Sequence, residues 1–305
     1  MADMKLAKRN WQAAAAHALS FMTLLVLYLY YKNSQKYAEA ETFRYALPTP
    51  ADVSGTCNTN REDSTGDVGK CSKDVIYTVP KKTSLSFNII YGCLFFFGFT
   101  AIAHLFYATD GFNTGAYTSV IKNGWNPYRW IEYGVSASAM SLLIGYALGT
   151  KDAANLMSLV FATASLQTFG YVVESSIKAK NLNRESIIAA TVGGWILLGA
   201  IWGPIIYNFK NVLKDIKDNY SDEIDPSTGE PVKLPPWLWF IVIVQIINFS
   251  GFGVIQLNQV RRALGGNPKP FSEVEMQYLF LSFAGKIGLA SGLSYGLLFR
   301  TRDCA

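Results

Sequence analysis

The stretch YLFLSFAGKIGLASGLSYGLLF, residues 278–299, decides how this chain is read. It is apolar throughout except for one charge, Lys286. About 20 mostly apolar residues are what a helix needs to cross the hydrocarbon core of a bilayer. Lys286 lies about ten residues from either end, so at 1.5 Å rise per residue it sits about 15 Å from water on both sides. A lysine stem reaches only about 6 Å, too short to snorkel out. An ionisable group at that depth is costly and marks function by default. The amine must pair with an anion, lose its proton or be covalently modified. A neutral lysine amine condenses with an aldehyde to a Schiff base. The competing reading is a lysine tied to a carboxylate as a packing lock or an ion-site member. The helix alone does not decide between them.

Working outward, six more stretches are long and apolar enough to span: 11–31, 85–107, 125–148, 153–177, 187–209 and 237–257. The seventh helix has a candidate start at Ser272, where Ser272 and Glu275 have capping-box spacing. Composition agrees with a membrane protein. Half of the 305 residues are hydrophobic and only 16% are charged, against about 25% in soluble domains. The net charge of +5 is small for this length and does not suggest nucleic-acid binding. The N-terminal apolar run is long enough to span and is followed by no small-residue cleavage site, so it reads as a helix and not a signal peptide. The expectation is an all-α membrane protein, one seven-transmembrane-helix bundle over residues 1–305. A long polar loop, 32–82, joins the first two helices, with room for a small β-hairpin. A second loop, 212–236, is acidic.

Seven spans put the termini on opposite sides. With the N-terminus inside, the short cytoplasmic segments hold Lys5, Lys8, Arg9, Lys122, Arg129, Lys178, Lys180, Arg184, Arg261, Arg262 and Lys269. Only Asp3, Asp110 and Glu185 oppose them. Positive charge in short loops marks the cytoplasmic side. Cys57 and Cys71, fourteen positions apart in the long loop, read as an extracellular disulfide. Two free thiols in a cytosolic loop are the alternative. Both signals favour a cytoplasmic N-terminus and an extracellular C-terminus.

The other intramembrane titratable groups gather near one level. The third helix opens with Arg129, Trp130 and Glu132. Glu132 fits a counterion for a protonated Schiff base, or a local i,i+3 partner of Arg129. The two histidines, His17 and His104, lie toward the cytoplasmic side at roughly the depth of Glu132. Two histidines and a carboxylate at one depth suit a polar cavity or proton relay; satisfied core histidines are the alternative. Glu174 belongs either to that cavity or to the interface. Ligand spacing for a metal is absent, and nothing forms a phosphate loop or a Ser-His-Asp constellation. No enzymatic activity is expected.

Together these residues resemble a microbial-type rhodopsin and, within that class, the heliorhodopsin family. The match is carried by Arg129-Trp130-x-Glu132, by Ser282-x-x-x-Lys286, by Ala103-His104-Leu105-Phe106-Tyr107-Ala108-Thr109 and by His17, with the inverted orientation as support. The resemblance implies all-trans retinal on Lys286, with Glu132 as counterion and Ser282 close to the Schiff base. Arg129 and Ser136 would belong to the same site, and His17 and His104 would line a cytoplasmic-side cavity. Gln167, Trp195, Trp202, Asn248, Phe249 and Phe252 would line the polyene, with ordinary interior packing as their alternative. It also implies a homodimer in the lipid bilayer and a signalling partner whose identity the sequence does not give. Outward pumps carry a hydroxyl four residues and a carboxylate eleven residues after the counterion; here those positions are Ser136 and Leu143. Their second carboxylate, four before the lysine, is Ser282 here. The expected function is therefore a light sensor with a slow photocycle and no active pumping. Light-gated passive proton or ion conduction through the His17, His104, Glu132 and Glu174 side is the alternative.

Overall fold

Helix formation follows the apolar runs, and their ends follow local chemistry. The computed structural model describes residues 2–33, 88–150, 152–178, 183–220 and 236–295. Among them are seven helices of 20 residues or more: α1 (Ala2–Asn33), α2 (Ile89–Ala108), α3 (Pro127–Ala147), α4 (Ala153–Lys178), α5 (Arg184–Tyr220), α6 (Pro236–Leu264) and α7 (Phe271–Ser294). Two short helical segments, Asp110–Asn113 and Ala116–Lys122, link α2 to α3. No strand occurs among the described residues. The hairpin considered for the long loop, and Cys57 and Cys71, lie outside them.

Five helices are long and apolar enough to cross a membrane: α1, α2, α4, α5 and α6. The two that fall short, α3 and α7, carry Arg129 and Glu132, and Glu273, Glu275 and Lys286. Their polarity is that of the site they build. Large apolar side chains such as Ile102, Phe161, Ile196, Ile247 and Phe280 are exposed. That arrangement suits lipid, because apolar surface on this scale would be costly in water.

Each helix packs on its neighbours in sequence, and α7 closes the ring by packing on α1 as well as α6. The largest apolar core joins Phe96 and Phe97 of α2, Leu143 and Ile144 of α3, Ile201 and Ile205 of α5, Ile241 of α6 and Leu293 of α7. It fills the half of the bundle near the C-terminal ends of α3 and α7. The other half holds the buried polar groups.

The ends correct two expectations. Residues 212–220, assigned to the acidic loop, are helical, because Val212, Leu213 and Ile216 pack on the main core and extend α5. The capping box at Ser272 is not formed. The N-cap of α7 is Pro270, with no side-chain cap bond, and Glu275 spends its carboxylate on α3. At the start of α3, Asn126 caps the helix by accepting from Arg129 N at 3.2 Å, followed by Pro127 in the first turn. Between α2 and α3, Asp110, Gly111, Phe112 and Asn113 form a left-handed turn, with φ of 53°, 65°, 53° and 68°. Asp110 accepts from Thr118 N at 2.6 Å and ties that turn to the following short helix.

Candidate functional site

Lys286 and Ser282 are four apart on α7 and therefore share a face. Glu132 and Ser136 repeat the spacing on α3. α2 contributes Thr100, one turn before His104. Packing of the three helices brings these faces together. The Lys286 Nζ donates to Ser282 Oγ at 2.7 Å and to Glu132 Oε1 at 3.0 Å. Glu132 Oε1 also accepts from Thr100 Oγ1 at 2.6 Å and from Ser136 Oγ at 2.8 Å. The ammonium lies 5.4 Å from the centre of the Tyr133 ring. Lys286 and Glu132 are both at least 97% buried. A buried ion pair is tolerable only when its remaining hydrogen-bonding capacity is met, and the three hydroxyls meet it here.

The same lysine lines a cavity. Met140, Leu198, Trp195, Phe249 and Phe252 give it apolar and aromatic walls. Gln167, Thr191, Asn248 and Gln256 add a few polar groups. That mixture of apolar walls and a few polar groups is typical of small-molecule sites. Two glycines shape the walls. A Cβ at Gly170 would lie 2.2 Å from the Trp130 ring, and one at Gly253 would lie 2.9 Å from the Trp195 ring. An apolar aldehyde fits this chemistry: an amine with one carboxylate beside it, among aromatic rings.

Of the residues expected to line that cavity, Gln167, Trp195, Asn248, Phe249 and Phe252 do so, as do Ser136, Ser282 and Lys286. Trp202 is not among the lining residues. It packs edge-on behind Phe249, with ring centroids 5.8 Å apart. The histidines lie on the other side of Glu132. His17 and His104 stack nearly parallel, 5.5 Å between centroids and 5° between planes. His104 Nδ1 bonds Asn10 Oδ1 at 3.1 Å, and Asn10 Nδ2 donates to Tyr117 Oη at 3.2 Å. Burial pushes the Tyr117 hydroxyl up to about 12, so it stays neutral. His17 has no hydrogen-bond partner among the described residues and meets Phe283 edge-on at 5.1 Å.

A second, smaller cavity is lined by Asn10, His104, Tyr107, Arg129, Glu132 and Glu275, among others. It joins the counterion side of Lys286 to a second buried ionic centre. The local Arg129–Glu132 pair weighed from spacing is not what forms. Arg129 pairs with Glu174 of α4 and Glu275 of α7, and its guanidinium lies 4.0 Å from the centre of the Tyr278 ring. Asn126 N donates to Glu174 Oε1 at 2.5 Å, and Asn126 Nδ2 to Glu275 Oε2 at 3.0 Å. Glu174 is thus a buried member of this centre. Arg129 does not line the larger cavity.

Sequence reasoning missed Thr100, Tyr133, Asn126 and Glu275. Thr100 carries a findable signal, being one helical turn from His104 on the same face. Glu275 was hidden because its spacing from Ser272 imitates a cap.

These features define a class: an integral membrane protein of packed helices with a buried lysine amine lining an aromatic cavity. The chain belongs to the heliorhodopsin family, whose model, described as Heliorhodopsin, matches residues 65–297. It is accordingly a rhodopsin-type, light-responsive membrane protein, and the family implies a retinal chromophore. No curated protein matches the chain. The family match begins after α1, so the position of His17 rests on geometry alone.

Proposed function

We propose that the protein is a light sensor that carries all-trans retinal on Lys286 as a protonated Schiff base, with Glu132 as its counterion. The observation that carries this reading is one side chain. Lys286 Nζ is buried, held by Glu132 and Ser282, and opens onto the aromatic cavity. Retinal supplies light absorption and isomerisation of its polyene. The protein's part is to hold the positive nitrogen. Glu132 places a negative charge beside it, Ser282 accepts from it, and Thr100 and Ser136 keep the carboxylate oriented. Trp195, Phe249 and Phe252 pack the cavity and exclude water.

The topology of this reading is a seven-span bundle with a cytoplasmic N-terminus, an extracellular C-terminus and a disulfide between Cys57 and Cys71. The protein acts as a homodimer on a signalling partner and is not an enzyme. Its photocycle is slow and moves charge only locally. Support for the absence of pumping comes from the far side of Lys286, where Leu143 sits within the apolar core and no carboxylate lines the larger cavity.

The test is reconstitution. Purified protein with added all-trans retinal gains a visible band, and Lys286→Ala does not. A colourless wild type ends the reading.

One observation favours a second reading, light-gated passive proton conduction. The smaller cavity joins Glu132 and His104 to Arg129 and Glu275. Photocurrent under voltage clamp that is lost in Glu174→Gln supports conduction. Its absence in wild type leaves the sensor.

A further inference from the structure

The α6–α7 contact beside Lys286 contains a polar arrangement that the ion pair does not use. Gly285 precedes the lysine, and a Cβ there would lie 2.0 Å from Asn248 Nδ2 and 2.9 Å from its Oδ1. No real Cβ contact is that short, so the Asn248 amide occupies the volume that glycine leaves empty. One turn away on α6, Gln245 Nε2 donates to the Gly285 carbonyl at 2.9 Å and fixes the register of the two helices. Asn248 is buried and lines the larger cavity, and its Oδ1 has no hydrogen-bond partner among the described residues. A buried carbonyl oxygen without a partner is uncommon and calls for an explanation.

We propose that Asn248 is a colour-determining residue. Its amide fills the space opened by Gly285 with Nδ2 innermost, and its unpartnered Oδ1 lies against the Schiff-base end of the bound polyene and holds the absorption band to the blue. This rests on the retinal reading above. The physical reason is the sign of the dipole. In the ground state the positive charge of a protonated Schiff base is concentrated at the nitrogen end. On excitation it moves toward the far end of the polyene. A carbonyl oxygen near the nitrogen end stabilises the ground state more than the excited state and widens the gap. Glu132 acts in the same sense with a full charge, so the amide is the smaller tuner of the two. The polar atom has no other work in the pocket, and it does not touch the Lys286–Glu132 pair.

The experiment has two arms. In the first, retinal is added to wild type and to Asn248→Leu, which keeps the side-chain shape and removes the dipole. Asn248→Ala serves if the leucine variant does not take up retinal. The expected result is a red-shifted band, by less than Glu132→Gln produces. An unmoved or blue-shifted band in a coloured variant overturns the proposal and leaves the retinal reading standing. A colourless wild type overturns both. The second arm needs no chromophore and tests the placement itself. Thermal unfolding of the apoprotein is compared for Gly285→Ala, Asn248→Ala and the double variant. Gly285→Ala should lower the melting temperature in the wild-type background and cost little in the Asn248→Ala background. Neighbours in contact are non-additive in this way, and distant sites are not. Additive effects overturn the proposal, because Asn248 would not then occupy the space at Gly285.

Discussion

The bundle holds two buried ionic centres, and they use opposite chemistry. Around Lys286, one cation meets one carboxylate and a shell of hydroxyls, and the cation faces an open cavity. Around Arg129, one cation meets two carboxylates, Asn126 donates to both of those carboxylates, and aromatic rings cover the cation. Arginine cannot be deprotonated inside a protein and offers five donors in a rigid fork. It therefore suits a permanent tie between α3, α4 and α7. Lysine changes protonation state readily when buried and is nucleophilic when neutral. The same fold thus builds a tie from arginine and, on the proposed reading, an attachment site from lysine, with Glu132 and Arg129 both lining the smaller cavity.

The comparison can be broken at several points. The largest effect is expected from Lys286→Arg. This variant keeps a cation opposite Glu132 but has no amine able to condense, so it should fold and show no visible band at all with retinal. A band in that variant would refute the attachment point. Next is Arg129→Gln, which strands Glu174 and Glu275 without their cation. Breaking one side of a buried ion pair costs about 3–5 kcal/mol, to be read as a large drop in melting temperature, in apoprotein and retinal-loaded protein alike. If Arg129→Gln instead abolished colour without loss of stability, the tie and the site would not be separable.

Glu132→Gln should leave the fold intact and move the band to the red, because removal of the anion raises the ground state more than the excited state. No spectral change would take the counterion role from Glu132. Gly170→Ala pushes a methyl into the Trp130 ring, and overpacking of this kind costs about 1–3 kcal/mol, measurable as a lower melting temperature. The smallest effect belongs to Thr100→Val. It removes one of the hydroxyls donating to Glu132, at a cost of about 1 kcal/mol and with a small shift of the band.

Part of this was legible from residue type and spacing, and the limits are instructive. The depth of Lys286 followed from counting apolar residues, whereas Ser282 and Ser136 came only from the resemblance to the family. Trp202, which the resemblance would set against the polyene, packs edge-on on Phe249 instead, because a resemblance points to a helix but not to which of its rings reaches the cavity. Arg129 was assigned to the lysine site because it stands three residues from Glu132. The true partners are 45 and 146 positions along the chain, beyond any local rule. Glu275 was read as a cap for the same reason, since a carboxylate at that spacing is locally satisfied on paper.

The sequence by itself determined that the chain lives in a membrane, that Lys286 cannot reach water, and that Glu132 and two histidines lie at roughly one depth. Each of these follows from hydrophobic length and helical rise, which are properties of single segments. Only the tertiary structure decided which carboxylate each cation takes, that Thr100 completes the counterion's shell, and that Asn248 fills the space beside Gly285. Those outcomes depend on how helices rotate and approach one another. That is set by packing across the whole bundle, and no single segment encodes it.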